Sequence, residues 1–356
     1  MKIYNIAVYP GDGIGIEVIR EAVKALKALE TLFRSFKFNF TEFDWGSNYW
    51  KKTGRVVPDN YLETLKGFDA ILLGALGDPA NIPDHVTLVP IIQIRQSFDQ
   101  YVCLRPAKIL PGVKSPLADK KYGDVDLIVI RENSEGEYTD VGGIFKTGQP
   151  DELAIQTAVH TRKGIARILR YAFSLARERK KHLTLATKSN AQKYSMVLWD
   201  RMFAEIAGDF PNIQTDKFHV DALAMNFVRF PERFDVVVGS NLFGDILSDL
   251  AGIISGSLGL VPSANINPEK VYPSFFEPVH GSAPDIAGKN IANPLGAIRS
   301  TAMMVDFLGE KEASACLEKA VLENLTENKI RTPDIEGKAT TDQVGTDICE
   351  KILKLK

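Results

Sequence analysis

Apolar positions along the chain recur with two periods, and the switches between them outline the elements. KIYNIAVYP (2–10) alternates and predicts a strand that turns at GDGIG (11–15). IEVIREAVKALKALE (16–30) changes to helical spacing, and FKFNFTEFDW (36–45) returns to period two. A short helix over 60–66 leads into FDAILLG (68–74), a compact apolar run that reads as a buried strand. HVTLVPIIQIRQSFDQ (85–100) is helical in pattern apart from Pro90. YVCLRPAKI (101–109) and VDLIVIRE (125–132) predict further strands, and ELAIQTAVHT (152–161) an exposed one. Residues 162–180 form a strongly amphipathic helix, HLTLATKS (182–189) a strand, 190–206 a helix, and FDVVVGSN (234–241) a buried strand. The chain is then loop-rich to about residue 292, with helices predicted over 294–308, 311–327 and 341–354.

Short apolar strands alternating with amphipathic helices predict an α/β fold with much parallel sheet. No low-complexity linker or internal repeat interrupts the chain, so any two domains share strands or cross more than once. With 356 residues there is enough chain for two substantial cores. The net charge of −2, without long charge runs, argues against a nucleic-acid or anionic-membrane partner. The longest apolar runs are far too short to span a bilayer. The N-terminus reads as a strand entering a glycine turn and not as a signal peptide. Cys103, Cys316 and Cys349 are scattered and odd in number, which predicts a reducing, cytoplasmic setting without a disulfide framework.

NLFGDILSDLAGIISGSLGL (241–260) holds only two ionisable side chains, Asp245 and Asp249, four residues apart on one predicted helix face. A solvated polar stripe is one reading. The other is a site for a hard divalent cation such as Mg²⁺ or Mn²⁺, with Asp221 of HVDALAM (219–225) as a third carboxylate. No His or Cys cluster has zinc spacing. Arg95, Arg105 and Arg131 stand at element ends among apolar neighbours, and their guanidinium forks suit carboxylates. Tyr138 in ENSEGEY and Lys188 in ATKSNA are candidates for proton transfer, or else a packed tyrosine and an exposed lysine. GDGIG is not the spacing of the usual dinucleotide fingerprint, and a tight strand-to-helix turn explains it. FEPVHGSAPDIAGKNIANP (276–294) is a loop able to wrap an adenosine, or simply surface turns.

In this order, PGDGIG, LRP, RENSEGEY, TKSN, SNLFGDILSDL and EPVHGSAPDIAGKNIANP resemble the β-decarboxylating dehydrogenases, the isocitrate/isopropylmalate dehydrogenase family, over essentially the whole chain. The resemblance implies that family's two-domain α/β fold, which is not a Rossmann fold, with the active-site cleft between the domains. It places residues 1–100 plus 256–356 in a larger cofactor-side domain. Residues 101–255 form a smaller one carrying a dimer-forming arm. It also implies a homodimer with shared active sites, in which Lys188, Asn190 and Asp221 of the partner subunit complete a site built on Asp245, Asp249, Tyr138 and the arginines.

The implied reaction is NAD- and metal-dependent oxidative decarboxylation of a small 2-hydroxy diacid. Asp221, Asp245 and Asp249 are implied to hold Mg²⁺ or Mn²⁺, while a need for a monovalent cation such as K⁺ stays open. Lys188 would take the hydroxyl proton and Tyr138 would protonate the carbon after CO₂ leaves. Arg95, Arg105, Arg131 and Asn190 would hold the substrate. Glu277, His280, Gly281, Ser282, Ala283, Asp285, Ile286 and Asn293 would line the cofactor path, and Asp285 would repel a 2′-phosphate and so favour NAD. Leu88, Ile91 and Ile92 stand where family members discriminate substrates, and they argue against a γ-carboxylate. PDHVTL (83–88) and FDQYVCLRP (98–106) lean toward the members acting on D-malate and tartrate. 3-Isopropylmalate dehydrogenase and a non-catalytic regulatory subunit are the alternatives.

Overall fold

The computed structural model describes residues 1–355. Its strands are β1 (Lys2–Gly11), β2 (Phe36–Glu42), β3 (Ala70–Ala75), β4 (Val102–Lys108), β5 (Asp126–Glu132), β6 (Gly142–Phe145), β7 (Leu153–Gln156), β8 (His182–Thr187), β9 (Gln214–His219), β10 (Val236–Gly239), β11 (Pro262–Ile266) and β12 (Ser274–Pro278). Ten of them form one sheet in the order β2-β1-β3-β12-β11-β4-β5-β10-β8-β9, and β6 and β7 pair as a separate ribbon. Pairing is parallel toward both edges and antiparallel across the middle, from β12 through β11 and β4 to β5. The strands on the β2 side of the β11–β4 pairing come from the two ends of the chain, and those beyond it come from residues 102–239.

Helices cover the sheet because their apolar stripes need burial. Helix Ile14–Phe33 buries Val18, Ala22, Ala25, Leu26 and Leu29. Helix Arg162–Glu178 buries Ile165, Ile168, Leu169, Ala172 and Phe173. The latter starts where the Thr161 hydroxyl accepts the Gly164 N–H at 3.0 Å, an N-cap that satisfies one unpaired donor of its first turn.

Several sequence expectations need correction. The stretch expected to be loop-rich before residue 292 contains β11 and β12, both buried in mid-sheet. Their polar residues and prolines hid them. β6 went unseen because it begins Gly-Gly. The helix expected over 85–100 is two helices, Asp84–Thr87 and Val89–Ser97, joined at Leu88. Pro90 lies in the first turn of the second, where its missing N–H costs nothing. The 36–45 strand stops at Glu42, and the helix expected from 190 starts at Ser195. Asp221 lies in the first turn of an unexpected helix, Val220–Arg229.

Candidate active site

A cleft of about 850 Å³ opens above the middle of the sheet. Its lining includes Leu88, Ile91, Ile92, Arg95, Arg105, Arg131, Tyr138, Asp245, Glu277, His280 and Gly281. The three arginines come from three elements: helix Val89–Ser97, β4 and β5. Asp245 and Asp249 lie on helix Asn241–Ile254, which follows β10. That helix can approach β5 closely because residue 244 is glycine. A Cβ there would lie 2.6 Å from the Cβ of Arg131.

The helix segment contains no cation, yet the sheet supplies two. Arg105 Nη1 lies 3.3 Å from Asp245 Oδ1 and 3.1 Å from Asp249 Oδ1, and it donates to Ser248 Oγ at 2.8 Å. Arg131 Nη1 pairs with Asp245, while its Nε donates to Asn241 Oδ1 at 2.8 Å. Arg95 Nη2 pairs with Glu277 Oε1 at 3.1 Å. Tyr138 donates its phenolic proton to Asp245 Oδ2 at 2.7 Å, and the Arg131 guanidinium lies over its ring.

These contacts set the electrostatics. Burial and then the neighbouring Arg95 charge bring Arg131 down to about 10, with Arg105 adding to the effect. Burial pushes Tyr138 up to about 12, reinforced by the Asp245 charge, so the phenol stays protonated at neutral pH. Burial works to raise Asp245, but Arg131 and Arg105 hold it below the usual carboxylate range. Asp249 moves upward through partial burial and the Asp245 charge, which Arg105 relieves only in part.

Lys188 and Asp221 form their own pair, Nζ to Oδ1 at 2.7 Å, at the ends of β8 and β9. Asn190 is exposed nearby. Among the described residues of one chain, no three His, Cys, Asp or Glu side chains cluster as a metal site, so Asp221 does not join Asp245 and Asp249 within the chain.

Of the loop residues, Glu277, His280 and Gly281 reach the cleft. Ser282 is buried against the GDGIG turn, where its carbonyl accepts the Ile14 N–H at 2.9 Å. Gly13 has φ 55°, and a Cβ on it would meet that same carbonyl oxygen at 2.0 Å. Ala283 has φ 40°, Asp285 is exposed and Ile286 is half-buried. Asn293 is buried and already engaged, donating to Asp334 Oδ2 at 3.0 Å and accepting the Leu295 N–H at 3.0 Å. Sequence reasoning missed Asp12, a buried carboxylate that accepts the N–H groups of Ser47 (2.7 Å) and Gly77 (3.0 Å) and so ties the GDGIG turn to the segment just after Leu76 of the lining. An acid inside a glycine turn was the available signal.

The groups present suit a divalent cation and a nicotinamide cofactor. Asp245 and Asp249 offer hard oxygen donors whose mutual repulsion a cation relieves. His280 donates Nδ1–H to the Gly281 carbonyl at 3.0 Å, leaving Nε2 as a buried acceptor without a partner beside the cleft.

A sheet built from both ends of the chain and a cleft of arginines, carboxylates and a protonated tyrosine define an α/β enzyme for small anionic substrates. Residues 5–351 match the family described as isocitrate/isopropylmalate dehydrogenase, and the chain belongs to it. It is 50% identical to a probable tartrate dehydrogenase/decarboxylase of Agrobacterium vitis, over 99% of this chain and 98% of that protein. It is 49% identical to the D-malate dehydrogenase (decarboxylating) of Escherichia coli, over 99% of this chain and 100% of that protein. The crystal structure of isocitrate dehydrogenase from Methylococcus capsulatus superposes with a TM-score of 0.88 at 36% identity, covering 98% of this chain and 99% of that one. The chain is thus an oxidoreductase of the decarboxylating dehydrogenase type, and the family in general uses a nicotinamide cofactor and a divalent metal. No helix among the described residues is long and apolar enough to cross a membrane.

Proposed function

We propose that this enzyme oxidatively decarboxylates D-malate to pyruvate and CO₂, oxidises tartrate, or does both, using NAD and Mg²⁺ or Mn²⁺. The observation that carries the reading is the convergence of Arg95, Arg105, Arg131, Tyr138 and Asp245 on one cleft in which Leu88, Ile91 and Ile92 form an apolar wall. Guanidinium groups recognise the two carboxylates of a C4 diacid, and the apolar wall offers nothing to a third. The full-length identities to a tartrate and a D-malate enzyme support the same substrates.

When bound, the nicotinamide accepts hydride, and the divalent cation lowers the pKa of a coordinated hydroxyl and stabilises charge developing on oxygen. The chain's own groups do the rest. Arg95, Arg105 and Arg131 hold and orient the carboxylates. Asp245 and Asp249 are the cation's ligands. Tyr138, held protonated, delivers its proton to the substrate carbon after CO₂ has left. Glu277 and His280 face the nicotinamide end, and Gly281, Ser282, Ala283, Asp285, Ile286 and Asn293 shape the path toward the adenosine. The exposed Asp285 carboxylate disfavours a 2′-phosphate and so selects NAD.

The active unit on this reading is a homodimer. The ribbon β6–β7 exposes Ile144 (61%), Phe145 (59%) and Leu153 (53%), an apolar patch that a second copy would cover. Pairing would bring Lys188, Asn190 and Asp221 of the partner subunit to the cleft, with Lys188 receiving the hydroxyl proton. The sheet order supports two domains, residues 1–100 plus 256–356 and residues 101–255, meeting at the β11–β4 pairing. The free cysteines suit a cytoplasmic setting.

The test is turnover by the purified chain of D-malate, tartrate, 3-isopropylmalate and isocitrate, with NAD or NADP and with or without Mn²⁺. NADH and CO₂ should form from D-malate, and NADH from tartrate. A large preference for 3-isopropylmalate or isocitrate would overturn the substrate assignment.

A further inference from the structure

Beneath the cleft, a chain of buried side-chain amides runs from one half of the sheet to the other. Asn133 follows β5 and is 2% exposed. Its Nδ2 donates to the Gln100 carbonyl at 3.1 Å and to Asn265 Oδ1 at 3.0 Å. Asn265, on β11 and wholly buried, donates its own Nδ2 to Glu277 Oε1 at 2.9 Å. The same Glu277 oxygen takes Arg95 Nη2 at 3.1 Å. The hydrogen-bond polarity is fixed along the whole line, because Asn133 can only donate toward Asn265 if Asn265 in turn donates toward Glu277.

We infer that Asn265 is a positioning residue for the nicotinamide end of the cleft, acting by orienting the Glu277–Arg95 ion pair and tying it to Asn133 across the β11–β4 junction. The inference rests on the proposed function for what Glu277 and Arg95 do in turnover, but the orientation itself is a property of the unliganded chain. A buried carboxylate with two donors on one oxygen is held in one rotamer, and loss of one donor frees it to turn toward Arg95 alone. Asn265 is not itself part of the cleft lining and meets it at Glu277, so its influence passes through Glu277.

Two variants test this. Asn265→Asp preserves size and the acceptor for Asn133 but sets a carboxylate against Glu277. Asn265→Ala removes both contacts. In a crystal structure of the ligand-free Asn265→Asp protein, Glu277 should turn away from residue 265. In solution, NAD affinity measured by calorimetry should fall about tenfold in each variant, about 1.4 kcal/mol. A double-mutant cycle with Glu277→Ala, which removes the acceptor that Asn265 Nδ2 holds, then separates positioning from general damage. Asn265→Ala should cost little further affinity once Glu277 is already changed. An unmoved Glu277 in the crystal, or equal losses in both backgrounds, would overturn the inference. A wild-type chain that neither binds nor reduces NAD would overturn the proposed function, while the crystal comparison would still decide whether Asn265 orients Glu277.

Discussion

Arg105 on β4 places Nη1 3.1 Å from Asp249 Oδ1, so a strand in the sheet supplies the positive charge that the acidic helix lacks. The same nitrogen lies 3.3 Å from Asp245 Oδ1, and one guanidinium therefore spans the i, i+4 pair. On the proposed reading this arginine also serves a substrate carboxylate, which gives it two partners that a bound cation would separate. Arg105→Gln should therefore tighten Mn²⁺ binding to the substrate-free enzyme by about tenfold, since a competing cation is gone. The same change should raise the KM for the diacid by about a hundredfold through loss of a charge-assisted contact. Calorimetric Mn²⁺ titration and steady-state kinetics measure the two effects. Weaker Mn²⁺ binding in the variant would mean that Asp245 and Asp249 are not the cation's ligands.

Gly244 sets how closely the acidic helix approaches β5. Gly244→Ala puts a methyl group 2.6 Å from Arg131 Cβ and 2.8 Å from its Cα, and both neighbours are too constrained to yield. Helix and strand must separate by a fraction of an ångström, which for overpacking costs about 1–3 kcal/mol. The shift also loosens the Arg131–Asp245 pair. Urea denaturation should show the lost stability, and kcat should fall more than Tm alone explains. Unchanged stability would mean that the helix is not held against Arg131 as described.

Much of the α/β pattern was readable because β1 and β8 alternate while β3, β5 and β10 carry near-continuous apolar runs, all between amphipathic helices. β11 and β12 were not, since Ser263, Asn265 and Ser274 are fully buried yet polar. Their partners, Ser300 for the Ser263 N–H and Asn133 for Asn265, lie far away in sequence, so no local pattern announces that they are satisfied. The site shows the same division. Asp245, Arg105 and Arg131 stood out singly as charges among apolar neighbours. That Arg131 meets Asp245 across 114 positions follows only from the β5–β10 pairing and the glycine contact. Asp12 escaped notice because its task, holding two backbone N–H groups, is visible only in three dimensions.

His160 gives the chain an acid-labile contact away from the cleft. Trp199 donates its indole N–H to His160 Nδ1 at 3.2 Å, which requires an unprotonated nitrogen. Burial holds the imidazole below its usual range, against the opposing influence of Glu137 and Glu135. The folded chain therefore binds this proton less readily than the unfolded one. Its contribution to stability is present above the unfolded value, about 6.5, and is lost as pH falls below it. His160→Gln keeps an acceptor for Trp199 and removes the titration. Tm should fall less between pH 7.5 and 5.5 in that variant than in the wild type, and parallel curves would exclude His160 as the cause.

The proposed homodimer, with active sites shared between its copies, makes a prediction that a single-chain site does not. Tyr138 lines the cleft with Asp245, whereas Lys188 pairs with Asp221 at the ends of β8 and β9. If a second copy brings Lys188 to the first copy's Tyr138, the two defects can be sorted into different sites. Tyr138→Phe and Lys188→Ala homodimers should each be nearly inactive. Unfolding them together and refolding the mixture makes half of the dimers mixed, each with one doubly defective site and one intact site. About a quarter of wild-type activity should return, as two-fold pairing requires. Refolding each variant alone should recover none. If the mixture stays inactive while forming dimers at the expected ratio, Lys188 and Tyr138 serve one chain, and the partner's contribution falls.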